Sequence, residues 1–537
     1  MEIVMSDFKK KLSNMSKDSE ENPLVFPSDP GTNVNGTIWA AGAAEKTYEV
    51  NNFDPSAEDS LLSYTPGRVV RHLFNDYSKT EGFEVFGYMS DWGIYDSRYE
   101  PDQYGYKEGG RGTDIMRLMQ GKNSYFDRLV LGFSAIIGDN GIKADTIKRA
   151  AVDFGIAANE GDVANHKGKA TLTDFWGDVG AYINCGFPGW KEVKFNPEEA
   201  MGVLGALVQL NKKFPEMPIG LSLGGWSMSE AFHYIAKDAD KRVRLAQSLK
   251  YIFDLFPMFK ELDIDWEYPN YKGEDHNKFG PEDVPNFVEL IKEIRKVLPG
   301  VPVSIATIAT PKGLKDGEID KLVAAGVDKI NLMTYDFFGS PWAEKLMHHT
   351  NLRNTVADGT RNSVEKAVDY LINDLHIEPK KINIGYAGYS RNAKNATIVN
   401  ASPLVGSYDK DNNAKTGVLG SFEKATSEWP DLLYNYVDGD LNGINGFKMY
   451  TDKVSSAEFL YNRSKNIFMS VETPWSVYEK AKYVREKGLG GMFIWMIDHD
   501  NGLLTNAARE GLGAGVDGTP RIDMAPLLRS AADKENK

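Results

Sequence analysis

A single cysteine, Cys185, stands among 537 residues. One thiol excludes an internal disulfide and a Cys-based metal site, and it reads most simply as a small buried side chain. No apolar run reaches the roughly 18 residues that a membrane-spanning helix needs. The opening stretch MEIVMSDFKKKLSNMSKDSEENP mixes charges and lacks the apolar core of a secretory signal. The expectation is a protein made in the cytoplasm that acts outside the cell by another export route or within a complex. Basic residues are in deficit as well. With 62 Lys and Arg against 76 Asp and Glu, the net charge is −14, which argues against nucleic acid or an anionic membrane as partner.

Aromatic residues, by contrast, are abundant: 10 Trp, 25 Tyr and 26 Phe. On an acidic chain, flat rings suit a neutral, ring-shaped ligand such as a sugar. A hydrophobic content of 42% with 26% charged residues excludes a disordered or fibrous protein. The length allows three or four average domains, or one large α/β barrel with insertions.

The pattern along the chain favours the barrel. Residues 1–80 are poor in periodic segments and rich in Asn, Asp, Ser, Pro and Gly, an N-terminal extension and candidate docking region. From Glu81 onward, short apolar runs alternate with helical stretches. Eight runs read as strands: Phe83 to Tyr88, Arg128 to Ile136, Ile219 to Leu223, Leu262 to Trp266, Val301 to Ile308, Lys329 to Tyr335, Lys381 to Ala387 and Gly490 to Ile497. Near-continuous apolar strands fit a parallel sheet buried on both faces. Between them, Val284, Phe287, Ile291, Ile294 and Leu298 form one helical stripe, and Val364, Ala367, Val368, Leu371 and Leu375 another behind a Ser363 cap. A third helix starts at the Thr473 cap with Pro474 in its first turn and stops near Gly488. The expected fold is α/β, a (β/α)8 barrel. Its parts are residues 81–391, strands one to seven; 392–466, a small α+β insertion; and 467–515, the eighth strand and last helix; 516–537 form a tail. A doubly wound sheet is the alternative, but no Gly-rich phosphate fingerprint follows the first strand.

The densest chemical signal is Leu262-Asp263-Ile264-Asp265-Trp266-Glu267-Tyr268-Pro269. Side chains alternate across a strand, so Asp263, Asp265 and Glu267 share one face, the lumen of a barrel. Crowded, buried carboxylates resist ionising together, and one that keeps its proton near neutral pH is a ready general acid. An oxygen-rich metal site is the rival chemistry for such a strand.

LDIDWEYP resembles the D-G-x-D-x-D-x-E signature of family 18 glycoside hydrolases, the chitinase family. Ser222-Leu223-Gly224-Gly225-Trp226 resembles that family's S-x-G-G motif, and Met333-Thr334-Tyr335-Asp336-Phe337-Phe338-Gly339 its M-x-Y-D-x-x-G motif. Gly491 to Trp495, followed by Ile497-Asp498, resembles its tryptophan-bearing eighth strand. Lys260 and Glu261 stand where the signature has its first Asp and its Gly. Tyr389-Ser390-Arg391 stands for the family's Y-G-R.

The resemblance implies substrate-assisted, retaining cleavage of chitin or chito-oligosaccharides, with no metal or other cofactor. Glu267 is the implied general acid and base. Asp265 orients the substrate's acetamido group, Asp263 shares a proton with Asp265, and Tyr335 donates to the acetamido oxygen. Trp495 is expected to floor the central subsite. Gly224, Gly225, Trp226, Tyr268, Met333 and Asp336 hold motif positions, while Tyr389 and Arg391 are placed to bond sugar hydroxyls, and Trp92 and Tyr95 to stack outer sugars. The adjacent His348 and His349 lack an evident third metal ligand and are expected at a surface or cleft rim. Endo-N-acetylglucosaminidases share the same acids, and a non-catalytic chitin-binding protein shares the fold, though such proteins typically lose the terminal Glu. An N-terminal addition without a signal peptide is similar to the chitinase subunits of insecticidal toxin complexes, which would make other subunits of a larger toxin complex the partners.

Overall fold

Each of the eight apolar runs forms a strand in a computed structural model that describes residues 72–95, 115–182, 185–354, 362–421 and 423–535. The strands are Glu84–Ser90, Arg128–Ile136, Ile219–Gly224, Phe259–Asp265, Val303–Ile308, Lys329–Met333, Ile382–Ala387 and Gly491–Trp495. All eight pair in parallel in sequence order, and the eighth also pairs with the first. The sheet therefore closes into a (β/α)8 barrel. Lumen side chains cover its inner face and helices its outer face, which is why the strands read as unbroken apolar runs.

The helices follow their sequence signals. Asp283–Val297 buries Val284, Phe287, Leu290, Ile291 and Ile294, each burial favourable by about 1.5–3 kcal/mol. Ser363 caps its helix by accepting the Lys366 N–H at 3.1 Å. Thr473 and Ser476 exchange reciprocal side-chain-to-backbone bonds of 2.9 and 3.2 Å, and that helix ends at Gly488 in the left-handed conformation. No described helix is long and apolar enough to cross a membrane. Cys185 is buried.

Two excursions break the alternation. Between the second and third strands, the short strand Ala170–Leu172 adds antiparallel to the end of the second, and helix Gly202–Lys213 returns the chain. After the seventh strand, only Gly388 separates barrel from insertion. There the strands Tyr389–Ala393, Thr426–Glu428, Lys448–Asp452, Ala457–Asn462 and Ile467–Val471 form an antiparallel sheet. Helices Lys410–Thr416 and Trp429–Asn435 accompany it.

Most of the N-terminal extension, residues 1–71, lies outside the described residues, as do residues 536–537. Residues 72–80 are packed on the barrel: Phe74 is buried, and the Asn75 side chain accepts the backbone N–H groups of Arg521 and Ile522 at 2.7 and 3.2 Å. The segment beyond 515 is held in place by the same contacts.

Candidate active site

Tyr88 and Asn331, on the first and sixth strands, can both reach Asp263 on the fourth only across the lumen. Asp263 Oδ2 accepts hydrogen bonds from Ser222 Oγ at 2.7 Å and Tyr88 OH at 3.1 Å. Its Oδ1 accepts from Ser304 Oγ at 2.6 Å and Asn331 Nδ2 at 3.1 Å. On the opposite face of the strand, Ile264 and Trp266 pack outward, with Trp266 stacked on Phe232 at 5.1 Å. Asp265 and Glu267 continue the inward row, and all three acids are buried.

Their surroundings differ. Four donors surround Asp263, and no hydrogen bond joins it to Asp265 in this arrangement. Asp265 Oδ1 is buried without a hydrogen-bond partner. Burial, then the charges of Glu267 and Asp263, push the Asp265 carboxyl well above its ordinary range. Burial pushes Glu267 up to about 7, with Asp336 adding to the rise and a Tyr268 hydrogen bond opposing it. Burial and the charges of Asp265 and Asp336 likewise hold the Tyr335 hydroxyl in its protonated, donating form. The site thus combines three buried carboxyls of different character: one held by four donors, one with an unpartnered oxygen, and an acid poised near neutrality.

Backbone geometry sets these positions. The Glu267 N–H donates to Ser229 Oγ at 3.0 Å, and the Ser229 hydroxyl, with one proton to give, lies 2.9 Å from the Gly225 carbonyl and 3.1 Å from that of Asp265. Asn277 Nδ2 holds the Glu267 carbonyl at 2.9 Å. Gly224 has φ +111°, and a Cβ there would lie 2.4 Å from the Asp265 carbonyl oxygen. Gly224 of the S-x-G-G motif therefore lets the third strand lie against the Asp265 backbone.

Asp336, at φ 57°, gathers the other motif residues. Arg391 donates to both its oxygens, at 2.8 and 2.9 Å, and Tyr389 OH donates to Oδ1 at 3.0 Å. Burial alone would raise this carboxyl, but Arg391 and His349 hold it well below the usual range. Arg391 and Tyr389, expected to meet sugar hydroxyls, are thus engaged with Asp336. Arg391→Met should destabilise the protein by about 1–2 kcal/mol in chemical denaturation. This is less than the roughly 3–5 kcal/mol of a fully buried pair, because the Asp336 side chain is 36% exposed. An unchanged unfolding midpoint would show that the pair is idle.

The two histidines correct an expectation. Both are buried rather than on a rim: His348 Nε2 bonds Asp452 at 3.1 Å, and His349 packs on Tyr389 with ring centroids 5.4 Å apart. Adjacent residues diverge, and the insertion covers both. Among the described residues no cluster of His, Cys, Asp and Glu could hold a metal ion.

Aromatic rings line the strand ends. Trp495 is half-buried and stacks on Phe133 at 5.6 Å, which in turn stacks on Trp92 at 6.3 Å. Trp92 is 40% and Trp226 52% exposed, while Tyr268 and Met333 are half-buried. Tyr95 closes the turn Trp92–Tyr95, and its side chain lies outside the described residues. Phe133, Tyr88, Ser229, Ser304 and Asn331 were missed by the motif reading. Their signal was an isolated polar or aromatic residue on the inward phase of an apolar strand or just past its end.

The sequence profile described as "Glycosyl hydrolases family 18" matches residues 84–500, from the first strand through the turn after the eighth. The chain belongs to this family. It is 42% identical to Chitinase 1 of Yersinia entomophaga over 96% of this chain and 95% of that one. Chitinase 2 of the same organism is 36% identical over 94% and 84%. The crystal structure of the chitinase Chi1, fitted into the structure of the Yersinia entomophaga toxin complex, superposes with a TM-score of 0.84 at 41% identity. It covers 95% of this chain and 100% of that one. The matched residues include the whole acidic strand.

Proposed function

We propose that this enzyme is a chitinase that cleaves β-1,4 bonds between N-acetylglucosamine units by substrate-assisted, retaining catalysis. The observation that carries the reading is the inward row of acids, ending in Glu267 with its proton held up to about pH 7. Glu267 gives that proton to the glycosidic oxygen as the bond to the anomeric carbon breaks. The acetamido carbonyl oxygen of the same sugar bonds to that carbon, forming an oxazolinium ion. Asp265, whose Oδ1 has no partner, accepts the acetamido N–H, and its carboxylate stabilises the positive ring. Tyr335 donates to the acetamido oxygen. The Glu267 carboxylate then takes a proton from water, which attacks the anomeric carbon and restores the acetamide with retention.

Oligomers of N-acetylglucosamine should be cleaved with the β-anomer appearing first by NMR. Their de-N-acetylated counterparts, lacking the internal nucleophile, should react roughly 10³-fold more slowly or not at all. Equal rates on the two would remove substrate assistance. The acid must also be protonated, so kcat/KM should fall tenfold per pH unit above about 7. Constant kcat/KM to pH 9 on a fluorogenic di-N-acetylchitobioside would contradict the role of Glu267.

A second proposal concerns context: the enzyme is a subunit of a larger toxin assembly and acts outside the cell that makes it. Near full-length likeness to a chitinase fitted into such a complex supports it. Co-purification of the native protein with non-chitinase subunits is expected, and recovery only as the free chain would count against it.

A further inference from the structure

Below Asp263, toward the N-terminal ends of the strands, lies a second layer of charge that the chemistry above does not use. Glu261 occupies the inward position two residues before Asp263, where the family signature has glycine. Its carboxylate is buried and pairs with Arg128, itself fully buried and stacked over Phe86 with the guanidinium carbon 3.5 Å from the ring centre. Arg128 Nε lies 3.4 Å from Glu84, and Lys329 Nζ lies 3.1 Å from Glu84 and 3.6 Å from Glu261. Two cations and two anions from the first, second, fourth and sixth strands make a layer of zero net charge.

Ser304, on the fifth strand, joins this layer to the catalytic one. Its Oγ lies 2.9 Å from Glu261 Oε1 and 2.6 Å from Asp263 Oδ1. A serine hydroxyl has one proton and cannot donate to both carboxylates. Arg128 donates to the same Glu261 oxygen that Ser304 approaches. With Glu261 so satisfied, the Ser304 proton is free to go to Asp263, at the shorter of the two distances.

We propose that Glu261, balanced by Arg128 and coupled through Ser304, is a positioning residue that sets the charge state of Asp263 and hence of the Asp263–Asp265 pair. The groups that bond Asp263 or make up the charged layer beneath it are Tyr88 and Glu84 from the first strand, Arg128 from the second, Ser222 from the third and Ser304 from the fifth. The sixth strand adds Asn331, which bonds Asp263, and Lys329 in the layer beneath; Asp263's own strand adds Glu261 and Asp265. Of these, Glu261 is an anion one storey below, and its charge adds to the burial that raises Asp263. Removing that charge while Arg128 and Lys329 remain leaves the layer net positive, which favours the Asp263 anion.

The inference rests on the catalytic reading above and takes it one step further: Asp265 must be ionised to stabilise the positive ring, so the acidic limb of the pH–rate profile reports the two aspartates and the alkaline limb reports Glu267. Glu261→Gln should move the acidic limb of kcat/KM down by about half a pH unit or more, because the carboxylate ionises more readily, and leave the alkaline limb in place. Arg128→Met combined with Glu261→Gln removes one charge of each sign and should return the acidic limb to the wild-type position. It keeps the space filled; should the Glu261→Gln single variant fail to fold, Ser304→Ala carries the test instead. Ser304→Ala, which takes a donor from Asp263, should move the acidic limb upward. Folded variants whose acidic limbs all coincide with wild type would overturn the proposal, even with a lower kcat, since a purely structural layer would change amplitude and not pH dependence. A Glu267→Gln enzyme that kept its activity would instead overturn the catalytic reading itself, so the two failures are distinguishable.

Discussion

Glu267→Gln should lower kcat on a fluorogenic di-N-acetylchitobioside by about 10³-fold while leaving the fold intact. The amide is nearly isosteric with the acid but has no proton to give the leaving oxygen, and general acid catalysis is worth roughly 10²–10⁴-fold. The same substitution has an opposite effect on stability. Burial raises Glu267 from 4.5 to about 7 in the folded protein. The folded state therefore holds this proton while the unfolded chain loses it at about pH 4.5. Stability from this group is fully present below that pH and is lost as pH rises through about 7. At pH 8 the buried carboxylate costs on the order of 3 kcal/mol that glutamine does not. The variant should melt higher than wild type at pH 8 and at nearly the same temperature at pH 4. Wild-type turnover in the variant, or an identical melting difference at both pH values, would contradict the placement of the acid.

The second large effect is expected at Asp265. Asp265→Asn keeps an oxygen that can accept the acetamido N–H but cannot carry the negative charge beside an oxazolinium ion. Electrostatic stabilisation of this kind is worth roughly 10²-fold or more. kcat should therefore fall by about that factor with KM changed little, since substrate orientation survives and transition-state stabilisation does not. A rise in KM at constant kcat would assign Asp265 to binding alone.

How much of this was legible beforehand varied by residue. The inward row of Asp263, Asp265 and Glu267 follows from the period of two along a strand, which local sequence fixes wherever the strand itself is recognised. Thr473, Pro474 and Gly488 bounded their helix because capping and left-handed conformations are local requirements. Trp266 could be turned outward by the same alternation. His348 and His349 could not be placed, because their burial depends on an insertion folding back over the loop after the sixth strand. That Arg391 and Tyr389 both bond Asp336 is not legible either, because nothing local brings the segment after the seventh strand against the sixth. Tyr88, Ser304 and Asn331 went unnoticed as partners of Asp263 because they lie on three other strands.

The single cysteine, the absence of long apolar runs, the acidic balance and the eight alternating apolar runs are properties of the chain in order, and they sufficed for the architecture and the acidic strand. Closure of the barrel decided the rest. It brought the first and sixth strands across the lumen to saturate Asp263, left Asp265 Oδ1 without a partner and set Arg128 beneath Glu261. Glu261 breaks the family signature in the sequence, and only the second strand's buried arginine shows how a charged side chain is accommodated there. The reason is physical: alternation and capping act over a few residues, whereas the charge state of a buried group is set by whatever the fold brings within a few ångströms of it.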